Sequence, residues 1–160
     1  MNACGATGAR RESEGEFSME PLRVDMRLVN DKVKFCCTSE LNPNLSVMMD
    51  YVPPLGDGEG FLGLELLVAS FAGCVSTAIV GILRRMGKAV GGYGMRAAGF
   101  RREAPLALER IEFEVELESA DVTDEEMEGV IHRARSISPV WIALNPDIEV
   151  TWRYAVRRAV

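Results

Sequence analysis

Leu66-Leu67-Val68-Ala69-Ser70-Phe71-Ala72-Gly73-Cys74-Val75-Ser76-Thr77-Ala78-Ile79-Val80-Gly81-Ile82-Leu83 runs for eighteen residues without a charge, the length at which a membrane-spanning helix is first suspected. What becomes of this run decides the fold. A bulky stripe, Phe61, Leu64, Val68, Phe71, Val75, Ile79 and Ile82, recurs at three- and four-residue spacing, which suits one helix face lying on a sheet. On the other side Ser70, Gly73, Cys74, Thr77 and Gly81 are small, and small residues in a row let another helix come close. The helix is expected from about Phe61 to Met86, ending at Gly87 with Arg84, Arg85 and Lys88 at its dipole-favoured end. Strands of one domain stand on both sides of the run and Glu65 sits near its start, so a buried helix is expected here and no membrane span. A helix apolar all round must be covered all round. The only other long helix is polar, which makes a second copy of the chain the expected cover and a homodimer the expected partner state.

Working outward, Leu22, Val24, Met26 and Leu28 alternate with Arg23, Asp25 and Arg27, and Val33, Phe35 and Cys37 alternate again after Asn30-Asp31. This predicts a β-hairpin with Cys36 and Cys37 on opposite faces, both as packing residues. Ser46 to Tyr51 forms a third extended piece before Pro53-Pro54 and the loop Gly56 to Gly60, which has neither an EF-hand's acidic set nor a P-loop lysine. Downstream, a Gly-rich extended stretch reaches Arg102, and a loop follows over Glu103 to Leu108. Ile111, Phe113, Val115 and Leu117 then alternate with Glu112, Glu114, Glu116 and Glu118, as in an antiparallel sheet with one wet face. Arg96, Arg101 and Arg102 are the expected counter-charges to that glutamate row. Thr123-x-x-Glu126 is a capping box opening a helix to about Ile137, and Ser138-Pro139 starts a short one. Ile148 to Tyr154 alternates as the last strand. The fold class is therefore α+β, with residues 1–19 a flexible leader and residues 20–160 one domain.

Composition excludes several functions. The 160 residues carry a net charge of −6 with no basic run longer than a pair, so no nucleic-acid partner is expected. One histidine and four cysteines without CxxC spacing predict no metal site, no cofactor and no disulfide framework. No charged-then-apolar signal pattern opens the chain, which makes the reducing cytoplasm the expected compartment. On residue type alone Cys74 is a packing residue, because free cysteine behaves as a small hydrophobe and mid-helix position does not acidify a thiol.

The run Leu64-Glu65-Leu66-Leu67-Val68-Ala69-Ser70-Phe71-Ala72-Gly73-Cys74, followed by two strands and a helix ending Ser136-Ile137-Ser138-Pro139-Val140, resembles the OsmC/Ohr family of osmotically inducible and organic hydroperoxide resistance proteins, over roughly residues 22 to 155 in element order. The resemblance implies a two-layer fold of antiparallel sheets around a long central helix, in an intertwined homodimer. It also implies chemistry: in active members a cysteine of the central helix and one in a Cys-Pro-Val motif reduce organic hydroperoxides. The first position matches Cys74, the peroxidatic candidate, which would pass through a sulfenic acid. The second is Ser138, and serine cannot resolve a sulfenic acid. The glutamate ten residues before the first cysteine in the Ohr branch is Leu64 here. Glu65, nine before as in the OsmC-like branch, falls on the opposite helix face and is a weaker carry-over. Arg23 and Arg27 are stand-ins for the family's activating arginine, and His132 is expected to be a solvated surface residue. Two functions follow: a one-cysteine reduction of small apolar hydroperoxides at Cys74 with an external thiol reductant, or a redox-inactive homodimer binding an apolar ligand at its interface. A third reading has Cys74 merely packed.

Overall fold

The computed structural model describes residues 20–158, so the leader expected over residues 1–19 lies outside the described residues. The chain divides into two compact units after Gly63. In the first, β1 (Val24–Leu28), β2 (Phe35–Ser39) and β3 (Ser46–Met49) form an antiparallel sheet in the order β1-β2-β3. The Asn30 side chain makes the first turn by accepting the backbone N–H groups of Lys32 and Lys34 at 3.1 and 3.0 Å. Register places Met26 opposite Cys37 and Leu28 opposite Phe35 on one face, yet Val24, Met26 and Leu28 remain 63, 47 and 51% exposed. Among the described residues nothing closes over this apolar face. Cys36 and Cys37 do point to opposite faces. Cys37 is free, whereas Cys36 is buried and disulfide-bonded, which corrects its reading as a packing thiol.

The second unit holds α1 (Gly63–Arg85), β4 (Gly92–Glu103), β5 (Leu106–Glu118), α2 (Asp124–Ile137), α3 (Pro139–Ala143) and β6 (Glu149–Arg157). Phe61 does not join the α1 stripe: its backbone pairs with β3 and its side chain is 52% exposed. From the rest of the stripe Phe71, Val75, Ile79 and Ile82 are buried, with Leu83, and Leu64 and Val68 pack against them. They share one core with Ile111, Phe113, Val115 and Leu117 of β5 and with Met127, Val130, Ile131 and Ala134 of α2. Each large side chain among them contributes about 2 kcal/mol relative to exposure. Helix α1 is long and apolar enough to cross a membrane by length and composition, but its bulky stripe is fixed in this core. Its small side is not: Ala69, Ser70, Gly73 and Thr77 are exposed.

Two sequence expectations change. Sheet β4-β5-β6 is mixed, because β6 runs parallel to β5. The α2–α3 crossover is long enough to return the chain to the starting edge, which a hairpin cannot do. Strands β4 and β5 also extend through most of the expected 103–108 loop, with a register shift between Phe100 and Arg101 absorbing one residue. The glutamate row accordingly meets β6 as well as β4. Glu114 lies between Arg96 and Arg153 in register, and Arg157 Nη2 donates to Glu116 at 3.3 Å. Arg101 and Arg102 stand beyond the row, opposite Leu108 and Ala107. The capping box forms as read, with Glu126 N–H donating to Thr123 Oγ1 at 3.2 Å and Thr123 N–H to Glu126 Oε2 at 3.0 Å. Lys88 also bonds Glu126, and this contact with the cap holds its carboxyl below the ordinary glutamate range.

Candidate functional site

Helix α1 brings Cys74 to the middle of its length, half-buried and free. Sixty-four positions later the chain returns to it: Ser138 Oγ donates to Cys74 Sγ at 3.2 Å. Ser138 can hold that position because it closes one helix and opens the next. Its N–H donates to Ala134 O at 2.9 Å as the C-cap of α2, and its carbonyl accepts Ile142 N–H at 3.0 Å. As the N-cap of α3, its side-chain oxygen accepts Trp141 N–H at 3.5 Å. Pro139 fits the first turn because its missing N–H would have had no partner there. Ser138 is 1% exposed, and no buried side-chain oxygen or nitrogen lacks a partner among the described residues.

Packing fixes α3 from below. Trp141 stands edge-on to Phe71 of α1 at 5.2 Å between ring centroids and to Phe113 of β5 at 5.8 Å. The segment bearing Ser138 is thus tied to the helix bearing Cys74 by aromatic contact as well as by the hydroxyl. Two residues further along α1, Tyr93 Oη donates to Ser76 Oγ at 3.2 Å, and Ser76 Oγ donates to Met95 Sδ at 3.6 Å. Burial raises the Tyr93 pKa above its ordinary value, against the opposing Ser76 bond, so its hydroxyl stays protonated at neutral pH.

The other singled-out residues stand elsewhere. Glu65 is exposed in the first turn of α1, half a revolution round the helix from Cys74. Arg23 pairs with Glu40 at 3.5 Å, and among the described residues no guanidinium hydrogen-bonds the Cys74 sulfur. His132 is exposed, 3.2 Å from Glu128 and edge-on to Trp152. A shallow open depression of about 380 Å³ lies on the outer face of β4-β5-β6, among Arg96, Ala98, Glu112, Glu114, Thr151 and Arg153. It is a trough between long charged side chains and does not include Cys74. Among the described residues no cluster of His, Cys, Asp or Glu suits a metal ion.

A thiol in a central helix met by a residue just before a Pro-Val pair is the arrangement the sequence resemblance pointed to. A family model described as OsmC-like protein matches residues 56–153, more than half of the chain and both ends of this contact. The chain belongs to the OsmC/Ohr family. Solved structures share the fold across nearly the whole length of this OsmC-like protein. A hypothetical protein from Aquifex aeolicus VF5 superposes with a TM-score of 0.74 at 19% identity, covering 89% of this chain and 100% of the other. The OsmC-like protein of Mycoplasma pneumoniae does so at 0.74 and 14%, covering 88 and 99%. An organic hydroperoxide resistance protein from Elizabethkingia anophelis gives 0.70 and 17%, covering 89 and 100%. Among curated proteins no match is found.

Proposed function

We propose that this OsmC-like protein reduces organic hydroperoxides at Cys74 in a one-cysteine cycle completed by an external dithiol. The observation that carries the reading is the Cys74–Ser138 contact: a half-buried free thiol on a packed helix, held by a residue at the place where the family keeps its second cysteine. Ile137 and Ile142, on either side of Ser138 in sequence and both exposed, offer apolar surface for an alkyl hydroperoxide.

The Cys74 thiolate attacks the outer peroxide oxygen, an S–O bond forms, the O–O bond breaks, and the departing alkoxide takes up a proton to leave as the alcohol. Cys74 is then a sulfenic acid. One thiol of the dithiol displaces water to form a mixed disulfide, and its second thiol displaces Cys74 and closes the donor's own disulfide. Ser138 cannot enter this exchange, because an alcohol oxygen forms no disulfide.

The working form in this reading is a homodimer. Supporting it are two surfaces that stay exposed among the described residues, the small-residue side of α1 and the apolar β1 face of the first sheet. Consumption of cumene hydroperoxide with dithiothreitol, or with a dihydrolipoyl donor, is expected from the wild type and lost in Cys74→Ser. Equal rates in the two would overturn the reading and leave an apolar-ligand carrier. Sedimentation is expected to give about twice 17.6 kDa.

A further inference from the structure

We infer that Ser138 is a positioning residue that holds the Cys74 sulfur in its reactive state by donating a hydrogen bond to it from its hydroxyl; the inference rests on the reading of Cys74 as the nucleophile. The hydrogen bonding is directional. A hydroxyl has one hydrogen and two lone pairs. Trp141 N–H already points at Ser138 Oγ from 3.5 Å and occupies one lone pair, while the same oxygen lies 3.2 Å from Cys74 Sγ. A thiolate has no hydrogen to give. Once the proton has left Cys74, the hydrogen between oxygen and sulfur must be the serine's.

The donor is also held still. Its N–H and carbonyl are both committed, to Ala134 and through Ile142, and at 1% exposure bulk water does not take its place. A pinned donor needs no ordering when charge appears on its acceptor, and bonds to charged groups are the stronger class. Substituting serine for the second thiol of the family therefore does more than delete a redox partner. It places beside Cys74 a hydrogen-bond donor that cannot be oxidised and cannot leave.

The test is the rate at which iodoacetamide alkylates Cys74 at neutral pH, read by peptide-resolved mass spectrometry, with the free thiol Cys37 on β2 as internal standard. Ser138→Ala and Ser138→Gly are expected to slow Cys74 by about tenfold, with Cys37 unchanged, while Ser138→Thr stays near wild type. Glycine is included because it is tolerated as an N-cap and lacks the hydroxyl, so it keeps α3 where alanine loosens it. The sign separates the roles: a merely structural serine, once removed, uncovers Cys74 and speeds alkylation, whereas a lost donor slows it. Equal or faster alkylation in the alanine and glycine variants, or a threonine variant as slow as alanine, overturns the inference. Alkylation needs no hydroperoxide, so a slowed Ser138→Gly protein whose wild type consumes none would sink the proposed activity and leave the Ser138 assignment standing.

Discussion

Asp50 and Ser138 are both buried polar side chains, 4 and 1% exposed, and they are satisfied in opposite ways. Among the described residues every hydrogen bond to the Asp50 carboxylate comes from its own loop: Tyr51 N–H reaches Oδ1 at 2.8 Å, and Asp57 and Glu59 N–H reach Oδ2 at 3.1 Å each. The loop is drawn so tightly that a Cβ on Gly56 would overlap Tyr51 O and the carboxylate itself, and one on Gly60 would lie 2.8 Å from Asp50 N. Ser138 takes one bond from its own helix start and directs the other at a sulfur on a different element. A polar group whose bonds all close locally holds backbone. One that spends a bond on a reactive atom far away in sequence marks a site.

The contrast can be broken by experiment. The largest expected effect is in the closed loop. Gly56→Ala should cost about 3 kcal/mol by overpacking, seen as a lower urea midpoint, with the rate of Cys74 alkylation in the folded protein unchanged. A shift in that rate would mean the two regions are not independent. Ser138→Ala should cost only about 1 kcal/mol, the usual loss of an N-cap, while changing the thiol as described; a cost as large as that of Gly56→Ala would make Ser138 chiefly structural. The smallest effect is in acid. Burial opposes charge on Asp50, but the N–H groups of Glu59, Tyr51 and Asp57, helped by Lys34, outweigh it and hold the carboxyl below its ordinary value. A depressed folded-state pKa stabilises the fold above the unfolded value, about 4, and the contribution is lost as pH falls through the folded one. The gap in urea midpoint between wild type and Asp50→Asn should therefore narrow below about pH 4. A gap constant with pH would show that the carboxylate charge is immaterial.

Much of this was legible in the residues because it is local. The Thr123 capping box, the β5 alternation, the Ser138-Pro139 helix start and the bulky stripe of α1 each depend on neighbours within a turn or two of chain. What escaped depends on pairing at a distance. Nothing local shows that β6 lies parallel to β5, and so the sequence offers only β4 arginines to face the glutamate row. Phe61 matches the helical spacing, but its backbone is taken by β3. Asp50 is silent in sequence because its partners are backbone N–H groups, which every residue carries. The Cys74–Ser138 pair is an intermediate case. No periodicity links positions so far apart; only the resemblance to a family associates these two residues, which the fold brings to 3.2 Å.

Strand β1 has a consequence for handling the protein. Among the described residues it is an edge strand, with Val24, Met26 and Leu28 turned to water beside an outer row of backbone donors and acceptors. Such a border is a template on which a stray strand can add, the first step of aggregation. Solubility on dilution or heating should therefore be governed at this border, and Met26→Lys, opposite the free thiol Cys37, should slow aggregation and weaken any dimer built on this face.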